Sequence, residues 1–319
     1  MEHEPDFKKI LFLTDGSAPS LSAQELTIQL AKKLGSEVTV FHVVTHELMR
    51  PKMQDFLVQG RAIPESADIE PGTAVRSEVI WTGEGPSSAG AHYGERVEDE
   101  LTSVYRQQGE EVVADAALAF KEEGLRVEKK VVEHKNIVEA VMKEAEEEDY
   151  DVIIMGRSGR KEKEARLGGV AEKVSRHSEI PVLIAGEKRA VSKLLVPVDG
   201  SESSDKAVNY AASLAKRLGA KLTLLHVQES RLFGHRPELS QAIGKGILSN
   251  AAEKLKGMTF DQKLESGDPA RKITEIAEKE DYDMIVMGSK GHGAIERFLL
   301  GSVINHVLHY TKHPVLVIK

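Results

Sequence analysis

Residues 192–227 read SKLLVPVDGSESSDKAVNYAASLAKRLGAKLTLLHV, and residues 8–43 read KKILFLTDGSAPSLSAQELTIQLAKKLGSEVTVFHV. The two align without a gap at an offset of 184. Each holds a short apolar run, Asp-Gly-Ser, a helical stretch, Leu-Gly, and a second apolar run ending in His-Val. Apolar positions recur at Ala23, Thr27, Leu30, Ala31 and Leu34 in one copy and at Ala207, Ala211, Leu214, Ala215 and Leu218 in the other. That spacing buries one helix face. Gly35 and Gly219 stand where a helix-terminating residue belongs, because glycine enters the left-handed region without steric cost. The repeated unit is therefore strand–helix–strand.

The duplication continues downstream. EDYDVIIMG (148–156) matches EDYDMIVMG (280–288), and Pro181-Val-Leu-Ile184 matches Pro314-Val-Leu-Val317. A chain of 319 residues has room for two ordinary domains. We place them at 1–187 and 191–319, with the polar run Gly186-Glu-Lys-Arg189 at the seam. Strand and helix alternate in each half, which gives five strands per half in a parallel sheet with helices on both faces, the α/β class. Ligands of such sheets bind outside the carboxyl ends of the strands. Asp15 and Asp199 follow strand one, Val43 and Val227 end strand two, and Gly156 and Gly288 follow strand four.

The stretch GSKGHGAIERFLLGS (288–302) lies between the apolar run Asp283–Met287 and a helical pattern at Val303, Ile304, Val307 and Leu308. Glycines there let the backbone approach a ligand closely. Unpaired N–H groups and the dipole at the helix start favour an anion, so the loop reads as a phosphate cradle. Ser302 adds a hydroxyl donor in the first turn. The spacing is neither the P-loop nor the dinucleotide fingerprint.

Composition narrows the field. No cysteine is present, which removes disulfides and thiol catalysis. A net charge of −8 argues against nucleic acid as partner. No apolar run reaches the ~18–20 residues needed to span a bilayer, and the first residues lack the character of a signal peptide, so a cytoplasmic protein is expected. His306, His309 and His313 share helical spacing, but His313 precedes Pro314 and no carboxylate lies nearby, so no metal site is expected.

The glycine loop with the spacing G-x2-G-x9-G-S, Asp199 closing strand one, Leu-Leu-His-Val227 and Gly267-Asp-Pro269 together resemble the universal stress protein family in a tandem form, across both halves. The resemblance implies Rossmann-like domains of five parallel strands, a stress-response or regulatory role, and end strands that pair between subunits in single-domain relatives. In this chain the two end strands are then expected to pair with each other as an internal pseudo-dimer about an approximate two-fold axis, with a further homodimer open. The branch with this loop binds ATP, so the implied cofactor is ATP, or AMP or ADP, with Mg2+ accompanying the phosphates. Asp199 and Val227 would hold the adenosine half, Pro197 and Val198 would line the base pocket, and Gly288, Gly291, Gly301, Ser302 and Val303 would hold phosphates. Lys290 and His292 would offset phosphate charge or lie solvated in the loop.

The first half departs from this pattern. Its candidates for a nucleotide are Thr14, Asp15, Val43, Gly156, Gly159, Gly168 and Gly169. Pairing Gly168 with Gly301 leaves the loop one residue short and puts Gly169 at the serine; pairing Gly169 with Gly301 restores the length and puts Val170 there. Either way the hydroxyl is lost. Arg157, Arg160, Lys161 and Arg166 nonetheless make the loop positive. From His42 to Tyr150 is 108 positions against 56 from His226 to Tyr282, so 52 extra residues enter, mainly at about 46–94. Prolines and glycines there suggest an irregular excursion, either a surface loop or an element that covers the sheet edge or docks a protein partner. Asp15 and Asp199 have a competing role in Asx turns. A slow ATPase or nucleotidyl-transfer enzyme is the weaker functional reading, because only His292 is placed for proton transfer. A nucleotide-independent scaffold is the other.

Overall fold

The computed structural model describes residues 7–45, 88–158, 167–187, 190–229, 237–291 and 300–319, with backbone alone for 88–101 and residue 237. Most of the expected 46–94 excursion, including Trp81, lies outside the described residues, as do Gly159, Arg160, Lys161, Arg166 and His292.

In chain order the first half contributes β1 (Lys9–Leu13), α1 (Ala18–Leu34), β2 (Glu37–Val44), α2 (Ser88–Glu122), β3 (Val127–Glu133), α3 (Ile137–Glu147), β4 (Val152–Met155), α4 (Gly169–His177) and β5 (Val182–Ile184). The second contributes β6 (Lys193–Pro197), α5 (Glu202–Leu218), β7 (Lys221–Gln228), α6 (Pro237–Glu253), β8 (Asp261–Ser266), α7 (Pro269–Lys279), β9 (Met284–Gly288), α8 (Ser302–Tyr310) and β10 (Val315–Ile318). Residues 88–94, read from their glycines as irregular, instead open α2, which runs 35 residues against 17 for its counterpart α6. Part of the extra length is thus helix.

Among the described residues ten strands join one sheet in the order β3-β2-β1-β4-β5-β10-β9-β6-β7-β8. Pairing is parallel within each half and antiparallel at the single seam, where Val315 faces Ile184 and Val317 faces Val182. The sheet is therefore mixed. Alternate strand residues feed two cores. Ile10, Phe12, Leu194 and Val196 pack beneath α1, α2, α5 and α6, whereas Leu11, Leu13, Leu195 and Ile285 pack beneath α3, α4, α7 and α8. Both cores run through both halves, so separating the halves would expose buried apolar surface.

The seam is reciprocal. Lys33 Nζ donates to Leu218 O at the end of α5 at 3.5 Å, and Arg217 Nη2 donates to Leu34 O at the end of α1. On the opposite face Arg157 Nη1 donates to Leu308 O at the end of α8, and Lys319 Nζ donates to Ser175 O at the end of α4. Each half thus sends two cations to carbonyl ends of the other half's helices, where the helix dipole is negative. Gly186 permits the close crossing: a Cβ there would lie 2.1 Å from Lys312 O.

Helix ends follow local chemistry. Ser17 and Ser201 are the N-caps of α1 and α5 and accept from Ser20 and Ser204 N–H. Gly35 and Gly219 close the same helices at φ 70° and 67°. Asp15 and Asp199 stand two residues before each cap, where one carboxylate oxygen accepts the Ser17 or Ser201 N–H in an Asx turn. The aspartates thus shape the turn that leads into the cap and are not caps themselves.

Candidate functional site

The carboxyl ends of β6, β7 and β9 open onto a cavity of ≈ 620 Å³. Pro197, Val198, Asp199, Val227, Gly288, Lys290, Gly291, Gly301, Ser302 and Val303 all line it. The remaining second-half candidate, His292, lies outside the described residues.

One end of the cavity is the start of α8. Gly301 is its N-cap, with φ −59°, and offers no side chain. Asn305 N–H donates to Gly301 O, the first bond of the helix, so the N–H groups of Ser302, Val303 and Ile304 precede any intrahelical acceptor. These three residues line the cavity. Three donors and the positive end of a helix dipole make this end suited to an anion.

The three loop glycines among the described residues, Gly288, Gly291 and Gly301, serve different ends. A Cβ on Gly288 would lie 2.6 Å from the Ser203 carbonyl carbon and 2.7 Å from its oxygen, so this glycine seats β9 against the first turn of α5. Gly156 does the same in the first half, with Pro19 C and O at 2.8 Å. A Cβ on Gly291 would stand 2.8 Å from Asp199 Oδ2, so the missing side chain admits that carboxylate. At Gly301 a Cβ would meet Ser289 O at 3.5 Å and Gly291 N at 3.6 Å, ordinary contacts. The φ of −59° at Gly301 is open to any residue, so a methyl fits there, and only a larger side chain would fill the cradle.

Polar groups fix the rest of the loop. Ser203 Oγ donates to Lys290 O, and Ser201 Oγ donates to Asp199 Oδ1 at 2.6 Å. His226 Nδ1 lies 2.7 Å from Val198 O. A carbonyl can only accept, so Nδ1 carries the proton, and the ring ties the end of β7 to the turn that presents Asp199. His42 repeats this on Thr14 O at 2.8 Å.

The far end, between β7, α6 and α7, is mostly apolar, with Val227, Ile243, Ile247, Pro269 and Ile273. His226, Gln228, Glu229 and Ser240 are its polar members, and the Gln228 amide donates to Ser240 O. The sequence reading stopped at Val227 and missed Gln228, Glu229 and Ser240. One signal was available: at the offset of 184, Gln228 faces Val44, a polar residue replacing an apolar one at a strand end.

The first-half candidates are built differently. Gly168 N–H donates to Arg157 O as Gly301 N–H donates to Ser289 O, each at 2.8 Å. That equivalence selects the first of the two registers. Gly168 matches Gly301, Gly169 matches Ser302, and the loop is one residue short. Arg157 is turned away from the loop: it is buried beneath α8, with Nη2 also donating to His313 O at 3.2 Å. The expectation that it lends its charge to an anion there is corrected. Thr14 spends its hydroxyl inside the turn, against Ser20 Oγ and Gly16 N–H. Val43 packs against the core beneath α3, α4, α7 and α8.

The chain also matches known proteins. The family model described as universal stress protein family matches residues 6–84, 84–186 and 191–319. The chain belongs to the universal stress protein family. A universal stress protein of Synechocystis is 26% identical over 318 residues, covering 98% of this chain and all of that protein. One from Methanocaldococcus jannaschii is 33% identical over 148 residues, 43% of this chain and 87% of the relative. The crystal structure of a universal stress protein from Archaeoglobus fulgidus superposes with a TM-score of 0.62 at 25% identity, covering 98% of each chain. As a member of this family the chain has an α/β fold with a mixed sheet, and none of its described helices is long and apolar enough to cross a membrane.

Proposed function

We propose that this universal stress protein binds an adenine nucleotide in its second half and acts through that occupancy as a regulatory protein. The observation that carries the reading is the cavity over β6, β7 and β9, with the donors of Ser302, Val303 and Ile304 at one end and an apolar slot at the other. A nucleotide has the same polarity, with anionic phosphates at one end and a flat apolar base at the other. Asp199, in the turn just past the end of the central strand of the three, faces the middle of that span and suits a sugar hydroxyl. Lys290 and the start of α8 offset phosphate charge. ATP uses the full length; AMP or ADP would leave part of the donor set unengaged. Mg2+ would travel with the polyphosphate, as a counter-ion that the nucleotide itself coordinates.

The first half is the non-binding or weakly binding partner. It lacks the serine, its loop is shorter, and Arg157 is committed to the seam. Calorimetric titration of the full chain with ATP tests the reading. We expect one site per chain, and a mass measured for any copurifying ligand equal to an adenine nucleotide. Absence of binding by ATP, ADP and AMP alike would refute it. A phosphate-release assay with Mg2+ on the same sample reads out hydrolysis.

A further inference from the structure

The slot between β7 and α6 contains one hydrogen-bonding amide whose orientation is locked. Gln228 is 9% exposed and lines the cavity. Its Nε2 donates to the carbonyl oxygen of Ser240 on α6. Ser266 Oγ, at the exposed end of β8, lies 3.4 Å from its Oε1. A carbonyl cannot donate, so the amide nitrogen must face Ser240 and the oxygen must face Ser266. A primary amide has two N–H groups and two lone pairs on oxygen. One of each is used, which leaves the amide one further donor and one further acceptor.

Distance places a base there. Neighbouring strands lie about 4.8 Å apart, so the end of β7 is roughly 10 Å from the end of β9, across β6. Phosphates held at the start of α8 would therefore carry the base to Gln228. Adenine presents an amino donor beside a ring-nitrogen acceptor, which an amide meets with two bonds. Guanine presents a carbonyl oxygen where adenine has the amino group, and that oxygen would face Oε1. A freely turning amide could swap its ends to suit guanine. Gln228 cannot, because the swap would set Oε1 against Ser240 O.

We propose that Gln228, locked between Ser240 and Ser266, is the residue that selects adenine over guanine in this cavity. The inference rests on the nucleotide reading above and adds its base specificity. The first half has Val44 at the equivalent strand position and no such amide.

The test is equilibrium titration of the full chain with ATP, GTP and inorganic tripolyphosphate. We expect the parent to prefer ATP over GTP by roughly ten- to hundred-fold, the usual worth of one bidentate base contact. Gln228→Met keeps the length and removes both hydrogen bonds; it should bring ATP and GTP close to parity while tripolyphosphate binds as before. Ser266→Ala, at an exposed position, should lower the preference part of the way, and it carries the test if Gln228→Met unfolds. Equal affinity of the parent for both nucleotides, or an unchanged ratio in both variants, overturns the role of Gln228 and leaves nucleotide binding intact. A parent that binds neither nucleotide overturns both.

Discussion

The two halves share a strand order and a turn chemistry, yet differ at several places where a ligand would touch. Ser17 and Ser201, His42 and His226, and Gly156 and Gly288 make the same contacts in both. These are the contacts that hold a helix on a strand or a turn on its neighbour. Where the second half has Ser289, Ser302 and Gln228, the first has Arg157, Gly169 and Val44. The difference teaches that contacts repeated in both halves report on folding, while the unshared residues, rather than shared ones such as Asp199 and Gly301, would separate a binding edge from a non-binding one. Gly288 illustrates the point. It belongs to the glycine motif, but its first-half twin shows that its demand comes from Ser203 and not from a phosphate.

The largest expected effect breaks the comparison outright. Gly301→Val should remove ATP binding, because its γ carbons would occupy the space in front of the Ser302–Ile304 donors. Gly301→Ala should bind, because the methyl meets only contacts of 3.5 Å or more. Gly168→Val, the same change in the first half, should leave ATP affinity at the parent value. Calorimetry on the full chain decides. Loss of binding in the Gly168 variant would assign the nucleotide to the wrong half.

Next in size is the serine. Ser302→Ala removes one hydrogen bond to a charged group, worth roughly 1.5–3 kcal/mol, or about ten- to hundred-fold in Kd. The reverse change, Gly169→Ser, restores the hydroxyl in the first half but neither the loop length nor the residue at Arg157. No second ATP site should appear. A second site in the titration would mean that the hydroxyl alone separates the halves.

Much of this was legible in the sequence, and the reasons are local. The repeat at 8–43 and 192–227 fixed strands, helix faces and glycine stops, because each depends on a few neighbouring residues. The loop register was not legible, since two alignments of Gly168 and Gly169 satisfy the same glycine pattern; a backbone bond to Arg157 O decides it. The direction of Arg157 was hidden for a different reason. Its acceptors, Leu308 O and His313 O, lie about 150 residues away in the other half. The matching close approach of Gly109 to His42 and of Gly244 to His226 was also invisible, because the long insertion destroys the constant offset between the halves.

A smaller effect tests the shared contacts. Gly156→Ala and Gly288→Ala should each destabilise the chain by about 1–3 kcal/mol, the usual cost of overpacking, because each methyl would meet helix backbone below 3 Å. Urea unfolding of both variants measures this. Were Gly288→Ala as stable as the parent while losing ATP, that glycine would belong to the ligand after all, and the division into folding and binding residues would need redrawing.

The smallest effect concerns the buried cations that the halves exchange. Burial, with the nearby charge of Lys290 second, pushes the Lys319 ammonium down to about 8 from an ordinary 10.5. Burial lowers Arg157 too, to about 10. The folded state therefore resists the charged form of Lys319, while the unfolded chain accepts it. Below about pH 8 the ammonium is charged in both states and the cost of burying it is fully present. Between 8 and 10.5 the unfolded state binds more protons, so that cost fades as pH rises. Replacing the charge with an apolar side chain of similar length removes the cost at every pH. The stability of Lys319→Met relative to the parent should thus be most favourable at pH 7 and decline by roughly 1 kcal/mol, about 2–4 °C in Tm, as pH climbs past 9. Arg157→Met should show no such decline between pH 7 and 9, because the guanidinium stays protonated throughout that range. Thermal unfolding of both variants and the parent at pH 7, 8 and 9 reads the contrast. A flat difference for Lys319→Met would mean that its ammonium is solvated, and that the two cations at the seam are equivalent after all.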